Sequence, residues 1–203
     1  MNENILKTIE LLSNDTISEE RKTVLRPLAD YIQKKINAGH TIRLNFICTH
    51  NSRRSHLSQI WAQTMAYHFG ITNVSCYSGG TEATAMFPKV GETLSTQGFK
   101  IQKLSEAENP VYAIKYAENE APIICFSKEY NNEFNPKNEF GAIMTCNNAD
   151  EGCPLVIGAD ARFPIKYDDP KASDNTPEQA QVYAERSLQI ASEMFYLFLQ
   201  ISK

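Results

Sequence analysis

The 203-residue sequence has no apolar run approaching the roughly 20 residues that cross a bilayer, so no membrane segment is expected. Its first residues, Met1-Asn2-Glu3-Asn4, carry neither a basic stretch nor an apolar core. The expectation is therefore no secretory signal and a cytoplasmic setting. An excess of basic charge is also missing. Lys plus Arg total 20 and Asp plus Glu total 24, giving a net charge of −4. That balance argues against a broad electrostatic grip on nucleic acid and leaves room only for a local basic pocket. Histidine is scarce, and none follows His68, so a local Cys/His zinc site in the second half would have to reach back through the fold. No even set of cysteines is present: the five are Cys48, Cys76, Cys125, Cys146 and Cys153. An odd count without a signal is a poor disulfide framework, so each thiol needs its own explanation. What is present is a globular balance, 42% apolar and 22% charged.

Residues 1–40 read as a helical addition. Ile5, Ile9 and Leu12 recur at helical spacing, and Ser13-Asn14-Asp15 breaks the pattern. A second helix starts near Ser18, carries the stripe Leu25, Leu28, Ile32 and Ile36, and stops at Gly39, with Pro27 either a kink or the true first turn. From residue 41 strands alternate with helices. Ile42–Cys48 is a strand, Ser55–Phe69 a helix, Val74–Ser78 a strand closed by Gly79-Gly80, and Pro88–Gly98 a helix. Val111–Tyr116 and Pro122–Ser127 read as an inserted hairpin, followed by an Asn/Pro-rich loop over 129–138. Phe140–Cys146 and Arg162–Tyr167 are further strands. Thr176-Pro177 with Gln179 reads as the capped start of a last helix bearing Tyr183, Ser187, Ile190, Met194, Leu197 and Ile201. The expected class is α/β, a three-layer, mainly parallel four-stranded sheet with flanking helices, plus the N-terminal helices and the inserted hairpin. One catalytic domain over 41–203, with an insertion at about 108–139, is expected.

Chemistry concentrates in Cys48-Thr49-His50-Asn51-Ser52-Arg53-Arg54-Ser55, between a strand and a helix. Such a turn gathers backbone N–H groups and a positive helix end, which bind an oxyanion. Cys48 at its mouth, near two arginines, is placed to react as a thiolate. Arg54 offers a planar fork for two oxygens of a phosphate-like group. Ser55 is placed to donate to the sulfur, and Asn51 to pin the loop to backbone groups. A lone cysteine would read as the buried end of a strand. The C-x5-R-S spacing between strand and helix favours a nucleophile instead.

This segment resembles the low-molecular-weight protein tyrosine phosphatase superfamily, whose loop is C-x5-R-S with Asn at the fourth position. Within it, the thioredoxin-coupled arsenate reductases are similar over a longer stretch. Their C-T-x-N-S-x-R-S loop matches Cys48, Thr49, Asn51, Ser52, Arg54 and Ser55. Their C-x2-A-D-x2-C-P segment resembles Cys146-Asn147-Asn148-Ala149-Asp150-Glu151-Gly152-Cys153-Pro154, and their D-D-P resembles Asp168-Asp169-Pro170. The resemblance implies that Cys48 is the nucleophile and that Thr49, His50, Asn51, Ser52, Arg53, Arg54 and Ser55 hold the oxyanion. It implies Asp169 as the general acid, with Asp168 as the neighbour whose charge acts on it. It further implies that Cys146 attacks the Cys48 adduct and that Cys153 resolves the disulfide for a thioredoxin-like dithiol, with no tightly bound cofactor and no metal.

Two readings stay open beside arsenate reduction. One is a phosphatase for phosphotyrosine or a small phosphomonoester; the other is a non-catalytic oxyanion sensor. A zinc protein using Cys146 and Cys153 is a weaker fourth. The loop departs from the family at two positions, His50 where Gly is frequent and Arg53 where many relatives carry cysteine. His50 is either a left-handed residue or a ligand contact. The aromatics that follow the acid in phosphatases are missing from Lys171-Ala172-Ser173-Asp174, and Tyr167 is the only nearby substitute. The stretch from Cys146 to Pro154 is expected to be a mobile surface loop, and 108–139 a lid. His56 is expected to face solvent, and Trp61, Cys76 and Cys125 to pack in the core.

Overall fold

A computed structural model describes residues 1–12, 17–152 and 155–203. The break at Ser13-Asn14-Asp15 and the residues Cys153 and Pro154 lie outside the described residues. The elements run α1 (Glu3–Glu10), α2 (Glu19–Asn37), β1 (Ile42–Cys48), α3 (Arg54–His68), β2 (Val74–Gly80) and α4 (Pro88–Thr96). Then come β3 (Lys100–Lys103), β4 (Tyr112–Lys115), β5 (Ile123–Cys125), β6 (Phe140–Met144), α5 (Asn147–Gly152), β7 (Ala159–Pro164) and α6 (Gln179–Leu199), the last preceded by a 3₁₀ turn at Pro170–Ser173.

Four strands form a parallel sheet in the order β2-β1-β6-β7, flanked by helices. Side chains alternate across it. Leu44, Phe46 and Ile143 join the large core beneath α2, α3 and α6, where Trp61, Tyr183 and Phe198 are fully buried. Ile47, Ala142 and Met144 point to the other face and pack with Cys48, Cys146 and Ala149. Burial on both faces toward its end explains why β1 alternates over Ile42–Phe46 and then closes on the adjacent apolar pair Ile47-Cys48.

The inserted hairpin is present as β4–β5, and β3 extends it to a three-stranded antiparallel sheet. Neither β3 nor the short α5 is apparent from periodicity, because each is too brief to show a period. In α2, Ser18 caps the N-terminus by accepting from the Arg21 N–H, and Pro27 lies inside the helix on its exposed side. The expected cap of α6 is corrected. Thr176 Oγ1 donates to the Ser173 carbonyl, and the helix begins only at Gln179.

Two glycines hold the architecture together. A Cβ on Gly80 would lie 2.6 Å from the Thr49 carbonyl oxygen, so only glycine lets the 48–55 loop seat against the end of β2. Gly98 has φ +100°, and a Cβ there would lie 2.6 Å from the backbone of Asn4 and Ile5, so α1 docks on it directly.

Candidate active site

The Cys48–Ser55 loop leaves β1 and enters α3, as its position between a strand and a helix requires. Cys48 ends the strand, 4% exposed, with Sγ 3.1 Å from Ser55 Oγ. Asn51 adopts φ 45°, a left-handed conformation that asparagine tolerates better than most residues. Its side-chain Nδ2 donates to Ser55 Oγ at 2.8 Å, while its Oδ1 accepts from the Lys128 N–H at 3.0 Å. An amide nitrogen can only donate, so Ser55 Oγ accepts there and its own proton is left for the Cys48 sulfur.

The loop carbonyls are tied outward. Those of Cys48 and Thr49 accept from the N–H groups of Thr81 and Glu82, that of His50 from Ser127 Oγ and Thr84 Oγ1, and that of Ser52 from the Phe87 N–H. With the carbonyls taken, the loop amides are the groups left for an oxyanion. Arg54 Nη1 donates to the Tyr167 carbonyl at 3.0 Å, and Nη2 meets Asp169 Oδ2 at 2.5 Å. Asp169 Oδ1 accepts from the Lys171 N–H and caps the 3₁₀ turn. A cavity of about 370 Å³ opens beside these groups, lined by Arg54, Cys146, Asn147, Asn148, Lys166 and Asp169 among others.

Cys146 follows β6, pairing with β1, which carries it to the loop. Its Sγ lies 3.5 Å from Thr49 Oγ1 and accepts the Ala149 N–H at 3.4 Å. The expected mobile surface loop is corrected at this end. Cys146 is 2% exposed, residues 147–152 are helical, and Asp150 is anchored by Arg162 and Lys166. Cys153 lies outside the described residues.

Several other expectations change. Arg53 turns away from the loop: its Nη2 pairs with Asp174 at 2.6 Å, its Nε donates to Tyr183 Oη at 2.5 Å, and its guanidinium stacks 4.1 Å from the Phe87 ring centre. Its side chain is thus removed from the oxyanion set, because three partners, Phe87 just before α4, Asp174 just after the 3₁₀ turn and Tyr183 on α6, outcompete an open loop mouth. The left-handed residue is Asn51, not His50, whose half-exposed ring faces Glu82 at 3.4 Å. Asp168 is exposed and turned to Arg186, away from Asp169. Tyr167 is buried in the core and also borders the cavity beside Arg54.

His56 is buried, not solvent-facing. Its Nδ1 pairs with Ser78 Oγ, and burial, followed by the Lys128 charge, pushes its pKa down to about 3. Trp61, Cys76 and Cys125 are buried as expected. The 108–139 insertion flanks the loop through Ser127 and Lys128 and contributes no residue to the cavity at Arg54. Lys128 carries no one-dimensional signal. It is 2% exposed, with Nζ 4.4 Å from the Phe126 ring centre and its pKa pushed down to about 8 by burial. Among the described residues no group of three His, Cys, Asp or Glu is arranged to hold a metal, and no helix is long and apolar enough to cross a membrane.

Residues 43–131 match the family model described as low molecular weight phosphotyrosine protein phosphatase. No curated protein sequence matches. Among solved structures, a low molecular weight protein tyrosine phosphatase from T. tengcongensis is similar with TM-score 0.54 at 16% identity, covering 79% of this chain and all of that one. A YwlE mutant from Bacillus subtilis gives 0.51 at 14% identity over 79% and 98% of the two chains. An arsenate reductase in a phosphate-binding state gives 0.50 at 16% over 80% and 100%. At these identities the structures speak for the fold alone, and the loop and the family match supply the rest. Over residues 43–131 the chain is similar to the low molecular weight phosphotyrosine protein phosphatase family, and its fold is the one those phosphatases share.

Proposed function

We propose that this protein is an arsenate reductase that works through a thiol relay from Cys48 to Cys146 and Cys153. The observation that carries the reading is the placement of Cys146: its sulfur lies against Thr49 of the nucleophile loop, and it shares an apolar cluster with Cys48. A hydrolase needs no second thiol there.

The Cys48 thiolate attacks arsenic while Arg54 and the loop amides hold the other oxygens. Arriving oxyanion competes with Asp169 for Arg54; the released carboxylate takes up a proton from solvent and delivers it to the departing hydroxyl, which leaves as water. The Cys146 thiolate then attacks Cys48 Sγ. A disulfide forms, the sulfur–arsenic bond breaks, and its electron pair leaves with arsenic, which falls from As(V) to As(III) as arsenite. Cys153 attacks Cys146 and passes the disulfide to an external thioredoxin-like dithiol, which supplies the two electrons.

The second reading is a phosphatase acting through a phosphocysteine at Cys48 with water as the second nucleophile. It is favoured by the deep burial of Cys146, which restricts its access to a large reductant. Coupled NADPH oxidation with arsenate, thioredoxin and thioredoxin reductase separates the two. The relay predicts turnover that is lost, by at least about 10²-fold, in both Cys48→Ser and Cys146→Ser. Aryl phosphate hydrolysis that needs Cys48 and survives Cys146→Ser, with no arsenate-dependent oxidation, identifies the phosphatase. Oxyanion binding without either turnover identifies a sensor.

A further inference from the structure

The N-terminal helical addition, which lies outside the family resemblance, reaches the back of the candidate site. Arg21 on α2 forms a two-pronged pair with Glu193 on α6, Nε to Oε1 at 2.8 Å and Nη2 to Oε2 at 2.7 Å. The Glu193 side chain is 3% exposed, and Gln189 Nε2 donates to it at 3.2 Å. The paired guanidinium then lies over the Tyr167 ring, 4.9 Å from its centre. Tyr167 is also held by its backbone. Its N–H donates to the Thr145 carbonyl, immediately before Cys146, and its carbonyl accepts from Arg54 Nη1. Asp169 follows two residues later and meets the same arginine. One buried tyrosine thus joins the strand end that carries Cys146, the oxyanion arginine and the acid, and α2 supplies the cation that covers its ring.

We propose that Arg21, clamped by Glu193, is a positioning residue: it fixes Tyr167 and so sets where Arg54 and Asp169 stand. The addition 1–40 then belongs to the catalytic machinery at one remove. A salt bridge between solvent-exposed helices would need no such burial, and a purely structural pair would have no reason to stack on the residue that holds Arg54. Proton delivery is the step most sensitive to such positioning, since a displacement of about 1 Å can cost on the order of 10²-fold in rate. This inference rests on the Cys48 oxyanion chemistry proposed above, whichever oxyanion is the substrate.

The test uses the full chain with Arg21→Met/Glu193→Leu, which removes the pair without leaving a buried carboxylate alone, and Glu193→Gln as a milder second variant. Melting curves check that both fold. Each is assayed on two aryl phosphates, one with a nitrophenolate leaving group and one with a poorer phenolate that depends on the acid, and on arsenate with its thiol reductants. The expected result is a kcat on the poorer ester that falls about tenfold further than on the better one, with Glu193→Gln showing a smaller loss in the same direction. If the wild type cleaves neither ester but reduces arsenate, kcat for arsenate falls about tenfold while KM changes less than about threefold. A wild type active on any of the three, with equal or no loss in the variants, overturns the positioning role alone. A wild type inert to all three overturns the proposed function and this role with it.

Discussion

Arg53 and Arg54 are adjacent in sequence and face different partners. Arg54 is aimed at the Tyr167 carbonyl and Asp169, inside the cavity. Arg53 is spent on Asp174, Tyr183 and the Phe87 ring. Substituting each in turn should therefore separate binding from stability. Arg54→Gln should weaken vanadate or arsenate binding by about 10²-fold, the scale of one lost charge-stabilising donor, at little cost in melting temperature. Arg53→Gln should leave that affinity within about threefold and cost about 2 kcal/mol of stability, because partly buried charged partners lose their donor. Titration calorimetry and thermal melts read the two quantities, and equal losses of affinity in both variants would contradict the assignment. The spacing C-x5-R-S is enough to single out Arg54, since loop length alone returns the sixth residue to the bound oxygens. Nothing in the sequence diverts Arg53, because its polar partners Asp174 and Tyr183 lie 121 and 130 residues away and only tertiary packing brings them together. His56 departs from its expected solvent-facing place for the same reason: on a helix buried nearly all round, a polar residue takes its environment from tertiary neighbours such as Ser78 and Lys128.

At the scale of elements, the β1–loop–α3 unit was legible because each part carries a local signal: an apolar run, a polar turn, a helical stripe. The last helix was legible in its stripe but not in its start, since Thr176 finds the Ser173 carbonyl before it can cap the helix. The short β3 and α5 hold too few residues to show a period, and they exist because neighbours complete them. The close seat of α1 depends on Gly98, at positive φ beneath Asn4 and Ile5, beside the buried Ile5 and Ile9 and the Thr8 bond to the Gln97 carbonyl. Gly98→Ala should cost about 1–2 kcal/mol from the left-handed backbone alone and push α1 off its seat. Hydrogen exchange over residues 3–10 should rise while kcat stays within about twofold. Unchanged protection of those amides would show that α1 is held by other contacts.

Across the whole molecule the fold sorts the described cysteines between two buried clusters. Cys76 and Cys125 lie in the large core under the helices, where burial raises both thiols, Cys125 to about 12, and keeps them protonated. Cys48 and Cys146 share the smaller cluster on the other face, beside the oxyanion loop. The odd count that excluded a disulfide framework thus becomes a division of labour between packing and chemistry. Composition could not show this division, because it follows from which cluster the tertiary packing places each residue in. The central claim is that two neighbouring thiols reduce one oxyanion, and a single-turnover experiment reaches it directly. Reduced full-length protein is mixed with excess arsenate and no reductant, and arsenite and remaining thiols are counted. About one arsenite per chain and the loss of two thiols are expected, with neither seen in Cys146→Ser. No arsenite from the wild type, with five thiols intact and an aryl phosphate still hydrolysed, would contradict that claim.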